Sequence, residues 1–193
     1  MTVSVPATRR VPGVEGVWVL IAGDMMIFAL LFGSFMHARA GHLAAFESAR
    51  HALSYHRGGV NTLLLVTSSW CVVRALHAVR AGAGGVALRW LGAGIAGGLG
   101  FAVSKVLEYA HEIGAGHTAA SGDFFMYYFL LTGIHLVHVL VGTLILTVFW
   151  VRWRRSAPEP APGSLAGFES AAACWHMVDL LWIVLFPLLY LVR

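Results

Sequence analysis

Five apolar stretches, each near twenty residues or longer and parted by short polar breaks, constrain this chain more than any other feature: 17–36, 60–79, 91–110, 125–150 and 171–192. About twenty residues is what an α-helix needs to cross ~30 Å of hydrocarbon at ~1.5 Å per residue. Inside lipid every backbone N–H and C=O must be satisfied within the fold, and no segment here alternates with the two-residue period of a barrel strand. The predicted fold class is therefore all-α: one integral membrane domain, 1–193, of five transmembrane helices. The second span is the weakest, because its strongly apolar part ends at Val73 and Arg74 must sit near a membrane face or snorkel toward one.

Composition agrees. Of 193 residues, 59% are hydrophobic and 11% charged, with a mean hydropathy of +0.77, whereas soluble domains carry roughly 25% charged residues. The net charge of +4 reads as membrane topology, since no basic arm exists to hold a nucleic acid. Arg9, Arg10, Arg74, Arg80, Arg89, Arg152, Arg154 and Arg155 fall on one side of the predicted bundle; Arg39, Arg50, Arg57 and Arg193 fall on the other. The positive-inside bias then makes residues 1–16 a cytoplasmic N-terminus and puts the C-terminus outside, in a multi-pass membrane protein. The first span contains Asp24 and lacks a small-x-small cleavage site, so it reads as a retained helix and not a removed signal. Cys71 and Cys174 lie in apolar stretches without Cys-x-x-Cys spacing and read as small core residues.

The loops carry less information. Residues 37–59 are long enough for a short interfacial helix using Leu43, Phe46 and Leu53. Gly82, Gly84 and Gly85 make the second loop flexible, and Pro158, Pro160 and Pro162 make the fourth a semi-rigid spacer. His37, His42, His51 and His56 crowd the first loop without ligand-like spacing, and exposed interfacial histidines account for them without a metal. The letters Gly92-Ala-Gly94-Ile-Ala-Gly97 fit a dinucleotide fingerprint, but that motif needs a strand before it and a βαβ unit around it. The same stretch holds Gly94-x-x-x-Gly98, which lets a second helix approach closely.

Ionisable groups placed where hydrocarbon should be are the informative ones, since each costs ~2.5–3.5 kcal/mol at the bilayer centre even on the insertion scale. Asp24 lies near the middle of the first span, where it must be protonated, hydrogen-bonded, or turned to a partner group or lipid head. Lys105, Glu108 and Glu112 follow i, i+3, i+7 on one helix face, with Tyr109 beside them, and can neutralise one another in an interior polar knot. His135 and His138 share a face of a span that holds no acidic residue, so their partners must come from another helix. Glu169, His176 and Asp179, at i, i+7 and i+10 and flanked by Trp175 and Trp182, form a stripe predicted to meet that histidine face.

Read in order, Gly16-Val-Trp-Val-Leu-Ile-Ala-Gly-Asp24, Asn61-Thr62-Leu with Ser68-Ser69, Glu108-Tyr109, Thr132-Gly133-Ile-His135-Leu-Val-His138-Val with Gly142-Thr143, and Gly167-Phe168-Glu169 leading to Trp175-His176-Met-Val-Asp179-Leu-Leu-Trp182 resemble subunit III of the haem–copper oxidase superfamily. The resemblance covers nearly everything from Gly16 to Arg193. Longer members of that family have seven helices, and this chain looks like their last five, the short bacterial form. The longer form encloses phospholipids in a cleft between its first two helices and the rest, so an equivalent cleft here must borrow from a neighbouring subunit. Terminal oxidases generally carry a buried Glu where Asp24 stands, and the Gly23-Asp24 pair looks more like the nitric oxide reductase accessory branch, the NorE-like proteins.

By that resemblance Asp24 is the buried carboxylate facing the lipid cleft and Arg152 the basic residue contacting lipid phosphate. Asn61, Lys105, Glu108, His135, His138, Glu169, His176 and Asp179 are the polar framework, and Gly94 and Gly98 serve helix packing. The resemblance further implies no catalytic residue, haem or metal on this chain; redox cofactors belong to a haem-containing catalytic partner subunit, and structural phospholipids bind alongside. The function expected is a non-redox accessory subunit supporting assembly, lipid retention and turnover durability, with nitric oxide reductase the preferred partner and a cytochrome c or quinol oxidase the alternative. Two rivals come from other classes. A small proton or solute transporter built on Asp24 and the Lys105–Glu108 pair lacks inverted halves or paired broken helices, and a membrane enzyme with a His-based metal site lacks ligands at helical spacing beyond His135 and His138.

Overall fold

The computed structural model describes residues 15–51, 53–156 and 162–191, and among these every regular element is a helix. α1 spans Glu15–Gly41, α2 Leu43–Arg50, α3 Tyr55–Arg80, α4 Gly84–Gly114, α5 Asp123–Arg155 and α6 Pro162–Phe186, the last running into a π-helical turn, Pro187–Leu191. Five of these are long and apolar enough to cross a membrane. The first four predicted spans lie inside these helices with longer ends, and the fifth, 171–192, begins inside α6 and runs one residue past the described Leu191; α5 has 33 residues, about 50 Å of helix. The excess is amphipathic end-piece. Trp150, Arg152, Trp153, Arg154 and Arg155 extend α5 where the apolar run stops, with the Arg154 guanidinium 4.9 Å from the Trp150 ring centroid, the interfacial chemistry in which Trp and Arg are favoured. The N-terminal residues 1–14, including Arg9 and Arg10, and Pro158, Pro160, Val192 and Arg193 lie outside the described residues, whereas Pro162 opens α6 at the helix position where its missing N–H is not needed.

Consecutive spans run antiparallel, and α3, α4, α5 and α6 form a ring in which α3 packs on α4, α4 on α5, α5 on α6 and α6 back on α3. The tight α3–α4 turn depends on Gly82 at φ +70°, where its backbone conformation lets the Ala83 N–H reach the Ala78 carbonyl at 2.9 Å, the six-to-one bond that closes a helix end. Glycine also sets how near α3 and α4 come. A Cβ on Gly94 would meet Val72 at 3.0 Å, and one on Gly97 would meet the Ser68 Cβ at 2.7 Å. Across that seam Ser68 Oγ donates to the Gly94 carbonyl at 2.6 Å in a buried hydrogen bond. Lipid gives helices no hydrophobic reason to associate, so close backbone approach and such bonds supply the attraction.

α1 stands apart. Only 11% of its most apolar stretch is covered by the rest of the chain, against 50% for the last span. It leans on α5 and α6 through Phe28, whose ring meets Phe32 and His138, and through Phe35, which meets Phe46 and Tyr127 edge-on. α2 is the short helix expected in the first loop; it inserts Phe46 against Phe124, while Leu53 just beyond it is also buried and Leu43 is exposed. His37, His42, His51 and His56 are all exposed.

Candidate functional site

The ring of α3–α6 encloses polar groups at successive levels between its two ends. Near the end where α4 finishes, Lys105 and Glu108 are wholly buried, one helical turn apart. An ammonium has three N–H donors, and Lys105 uses all of them, on Glu108 Oε2 at 3.0 Å, Tyr190 OH at 3.0 Å and Tyr128 OH at 3.1 Å. Tyr190 in turn donates to Glu108 Oε1 at 2.6 Å, so both carboxylate oxygens are taken. The rings of Tyr128, Tyr109, Trp182 and Tyr190 surround the ammonium at 4.7 to 5.6 Å, close enough for cation–π attraction. Tyr190 gets there from the π-helical turn that begins at Pro187, a residue that cannot donate the regular i−4 backbone bond. Thr132 donates its hydroxyl to the Tyr128 carbonyl at 2.6 Å, which leaves Tyr109 as the donor in its 2.7 Å bond to Thr132.

Glu112 departs from expectation. It does not join the knot but bonds His117 Nδ1 at 3.0 Å, with the His117 ring stacked on Phe125. The α4–α5 turn brings His117 back over the helix end, which the residues on α4 alone do not reveal. Deeper in, His135 is fully buried between Phe101 and Trp182, ring centroids 5.5 and 5.2 Å away, and neither ring nitrogen finds a hydrogen-bond partner. The cross-helix hydrogen bond predicted for it is thus not made, because α4 and α6 present aromatic rings at its level. Asn61 is likewise fully buried with both amide atoms unpaired.

The acidic and histidine stripe of α6 faces α3, not the histidines of α5 as predicted. Glu169 accepts from Arg80 Nη2 at 2.6 Å, and His176 Nδ1 is hydrogen-bonded to Ser69 Oγ at 2.5 Å. Asp179 is buried on the same helix, with Oδ1 unpaired. Ring order explains the difference: α6 touches both α3 and α5, and α5 is met instead by Trp175, which contacts the backbone at Gly142. Gly98 is enclosed on that side too, since a Cβ there would lie 2.6 Å from Thr143 Oγ1 and 2.7 Å from Trp175.

Asp24 is the half-buried carboxylate of α1, and its partner is His138, with Nε2 3.5 Å from Oδ2. His138 Nδ1 bonds its own helix at the Ile134 carbonyl, 2.8 Å away. A carbonyl only accepts, so Nδ1 carries a proton. That bond turns Nε2 toward the Asp24 carboxyl across the α1–α5 contact. Arg152 is exposed in the last turn of α5. Among the described residues no three His, Cys, Asp or Glu side chains gather as a metal-ligand group.

Tyr128 and Tyr190 were not singled out from sequence, and Ser69 and Arg80 entered only through the resemblance and the charge count, though all four complete the networks. For the tyrosines a signal existed, since a phenol hydroxyl in an apolar span needs a partner.

Comparison with known proteins gives the family. Residues 13–192 match the family model described as cytochrome c oxidase subunit III. The chain is 31% identical over 180 residues to cytochrome c oxidase subunit 3 of Corynebacterium diphtheriae, covering 92% of this chain and 87% of that protein. It is 32% identical to cytochrome c oxidase subunit 3 of Synechocystis, over 91% of this chain and 74% of that one. To the cytochrome bo(3) ubiquinol oxidase subunit 3 of Pseudomonas aeruginosa the identity is 28%, over 92% and 84%. Five membrane-crossing helices, a family match across nearly the whole length and relatives of these kinds make this a multi-pass membrane protein, and the chain belongs to the cytochrome c oxidase subunit III family.

Proposed function

We propose that this chain is the subunit III of an oxygen-reducing haem–copper oxidase of a bacterial inner membrane, without a redox centre of its own, and that it supports the haem-bearing catalytic subunit. The observation that carries the reading is the similarity over 91–92% of its length to proteins named as cytochrome c and ubiquinol oxidase subunits. Those names reverse the preference drawn from Gly23-Asp24 for a nitric oxide reductase partner. The side chains fit a supporting role, because Lys105 with Glu108, His176 with Ser69 and Asp24 with His138 pair inside the bundle, Tyr190 joining the first of these pairs. α1 offers the surface for partner helices or lipid: Val19, Leu20, Met26, Ile27 and Leu30 are all exposed along it beside Asp24. In this proposal structural phospholipids occupy the space next to α1, with Asp24 at its edge and Arg152 available to a lipid phosphate.

Purifying the chain from its native membrane in mild detergent tests this directly. A haem-bearing subunit is expected to co-purify, and the complex to consume oxygen with cytochrome c or quinol as donor. A haem-free chain purified alone, or a complex that reduces nitric oxide and not oxygen, would overturn it. Within the complex, Asp24→Ala is expected to leave the initial rate unchanged and to shorten the turnover lifetime several-fold. Inactivation kinetics and lipid content identical to the parent would remove the role given to Asp24.

A further inference from the structure

Arg74 lies six residues before the end of α3, about 9 Å of helix inside it, where a cation needs compensation. No carboxylate among the described residues supplies it. Its guanidinium instead lies 6.0 Å from the Trp70 ring and 5.6 Å from the Trp90 ring, which pack edge-to-face 5.0 Å apart across the α3–α4 seam. Next to them Val86, Arg89, Trp90 and Ala93 line an almost wholly apolar groove, and Arg89 has no anionic partner among the described residues. Arg80, the next arginine along α3, is taken by Glu169. Arg89 thus lines an apolar groove on the outer surface of a membrane helix pair, Arg74 is held against the Trp90 ring of that same groove, and neither has a carboxylate partner among the described residues.

From the unpaired Arg74 and Arg89 beside the Trp70–Trp90 pair and the apolar groove below, we infer a binding site for an anionic phospholipid. The phosphate sits between Arg74 and Arg89, and an acyl chain runs along Val86, Trp90 and Ala93. Charge complementarity selects the occupant: a zwitterionic head brings its own cation to the two arginines, whereas an anionic head neutralises them. The site is on α3 and α4, on different helices from Asp24 and Arg152, and does not depend on which complex the chain joins.

Tryptophan fluorescence of the full chain in phosphatidylcholine vesicles tests the inference, with brominated phosphatidylglycerol or brominated phosphatidylcholine titrated in as quencher. Each basic residue near an anionic lipid surface contributes a few-fold, so a preference of roughly ten-fold or more for the anionic quencher is expected. Added salt should weaken it. Arg74→Gln with Arg89→Gln should abolish the preference, and Arg74→Lys with Arg89→Lys should keep much of it. Trp70→Phe with Trp90→Phe should remove the preferentially quenched emission, which keeps the test decisive if the glutamine variant fails to fold. Equal quenching by both lipids in the parent chain, an undiminished preference in the glutamine variant, or a preference that survives loss of both tryptophans would each overturn the site.

Discussion

Glu108→Ala is expected to lower the unfolding stability of the detergent-solubilised chain by about 3–5 kcal/mol, the cost of leaving a buried partner charge uncompensated. The reason is local. Lys105 has no contact with water, and its three donors are placed for Glu108, Tyr128 and Tyr190; without the carboxylate, two phenol oxygens and four ring faces must hold a full cation in low dielectric. Lys105→Met should cost a similar amount by stranding the carboxylate. The double variant, Lys105→Met with Glu108→Met, should be more stable than either single variant, because removing both charges also removes both desolvation penalties. A double-mutant cycle by denaturant titration reads this coupling. Additive losses would mean that the pair is not the unit the geometry describes.

The same pair shows what sequence can and cannot reveal. Its i, i+3 spacing on one helix was enough to join Lys105 to Glu108, because intrahelical geometry is set by the 3.6-residue turn. Tyr128 and Tyr190 reach the pair from 23 and 85 residues beyond Lys105, and no periodicity along α4 encodes that. The five spans were legible for a similar reason: the bilayer demands a run of fixed length whatever the helix packs against. Their ends were not, since interfacial Trp and Arg carry a helix past the point where hydropathy falls. The α6 stripe was found with its face correct and its neighbour wrong. Periodicity places Glu169, His176 and Asp179 on one side of a helix, but only the order of helices around the ring decides that Arg80 and Ser69 lie opposite. Asp24 was recognised as a group needing compensation; that His138 provides it follows from how α1 leans on α5.

Gly94-x-x-x-Gly98 announced a close helix approach without saying what approaches, and the answer at Gly98 makes the second large prediction. Trp175 is buried to 1% exposure with its ring between Gly98 on α4 and Gly142 on α5. Trp175→Ala should cost about 3–5 kcal/mol, as for other large core aromatics. Gly98→Ala approaches the same contact from the other side: the new methyl would sit 2.7 Å from the indole and 2.6 Å from Thr143 Oγ1, well inside contact distance. The indole is rigid, and the space beside Gly142 is too small even for a methyl group, which would lie 2.8 Å from the ring, so the ring has little room to retreat toward α5, and overpacking should cost about 1–3 kcal/mol. Trp175→Phe shortens the ring at the point of collision. Combined with Gly98→Ala it should therefore recover part of that loss, so that the two changes together cost less than their sum. Equal melting temperatures for Gly98→Ala and the parent, or strict additivity with Trp175→Phe, would show that the ring is not what holds α4 and α5 apart.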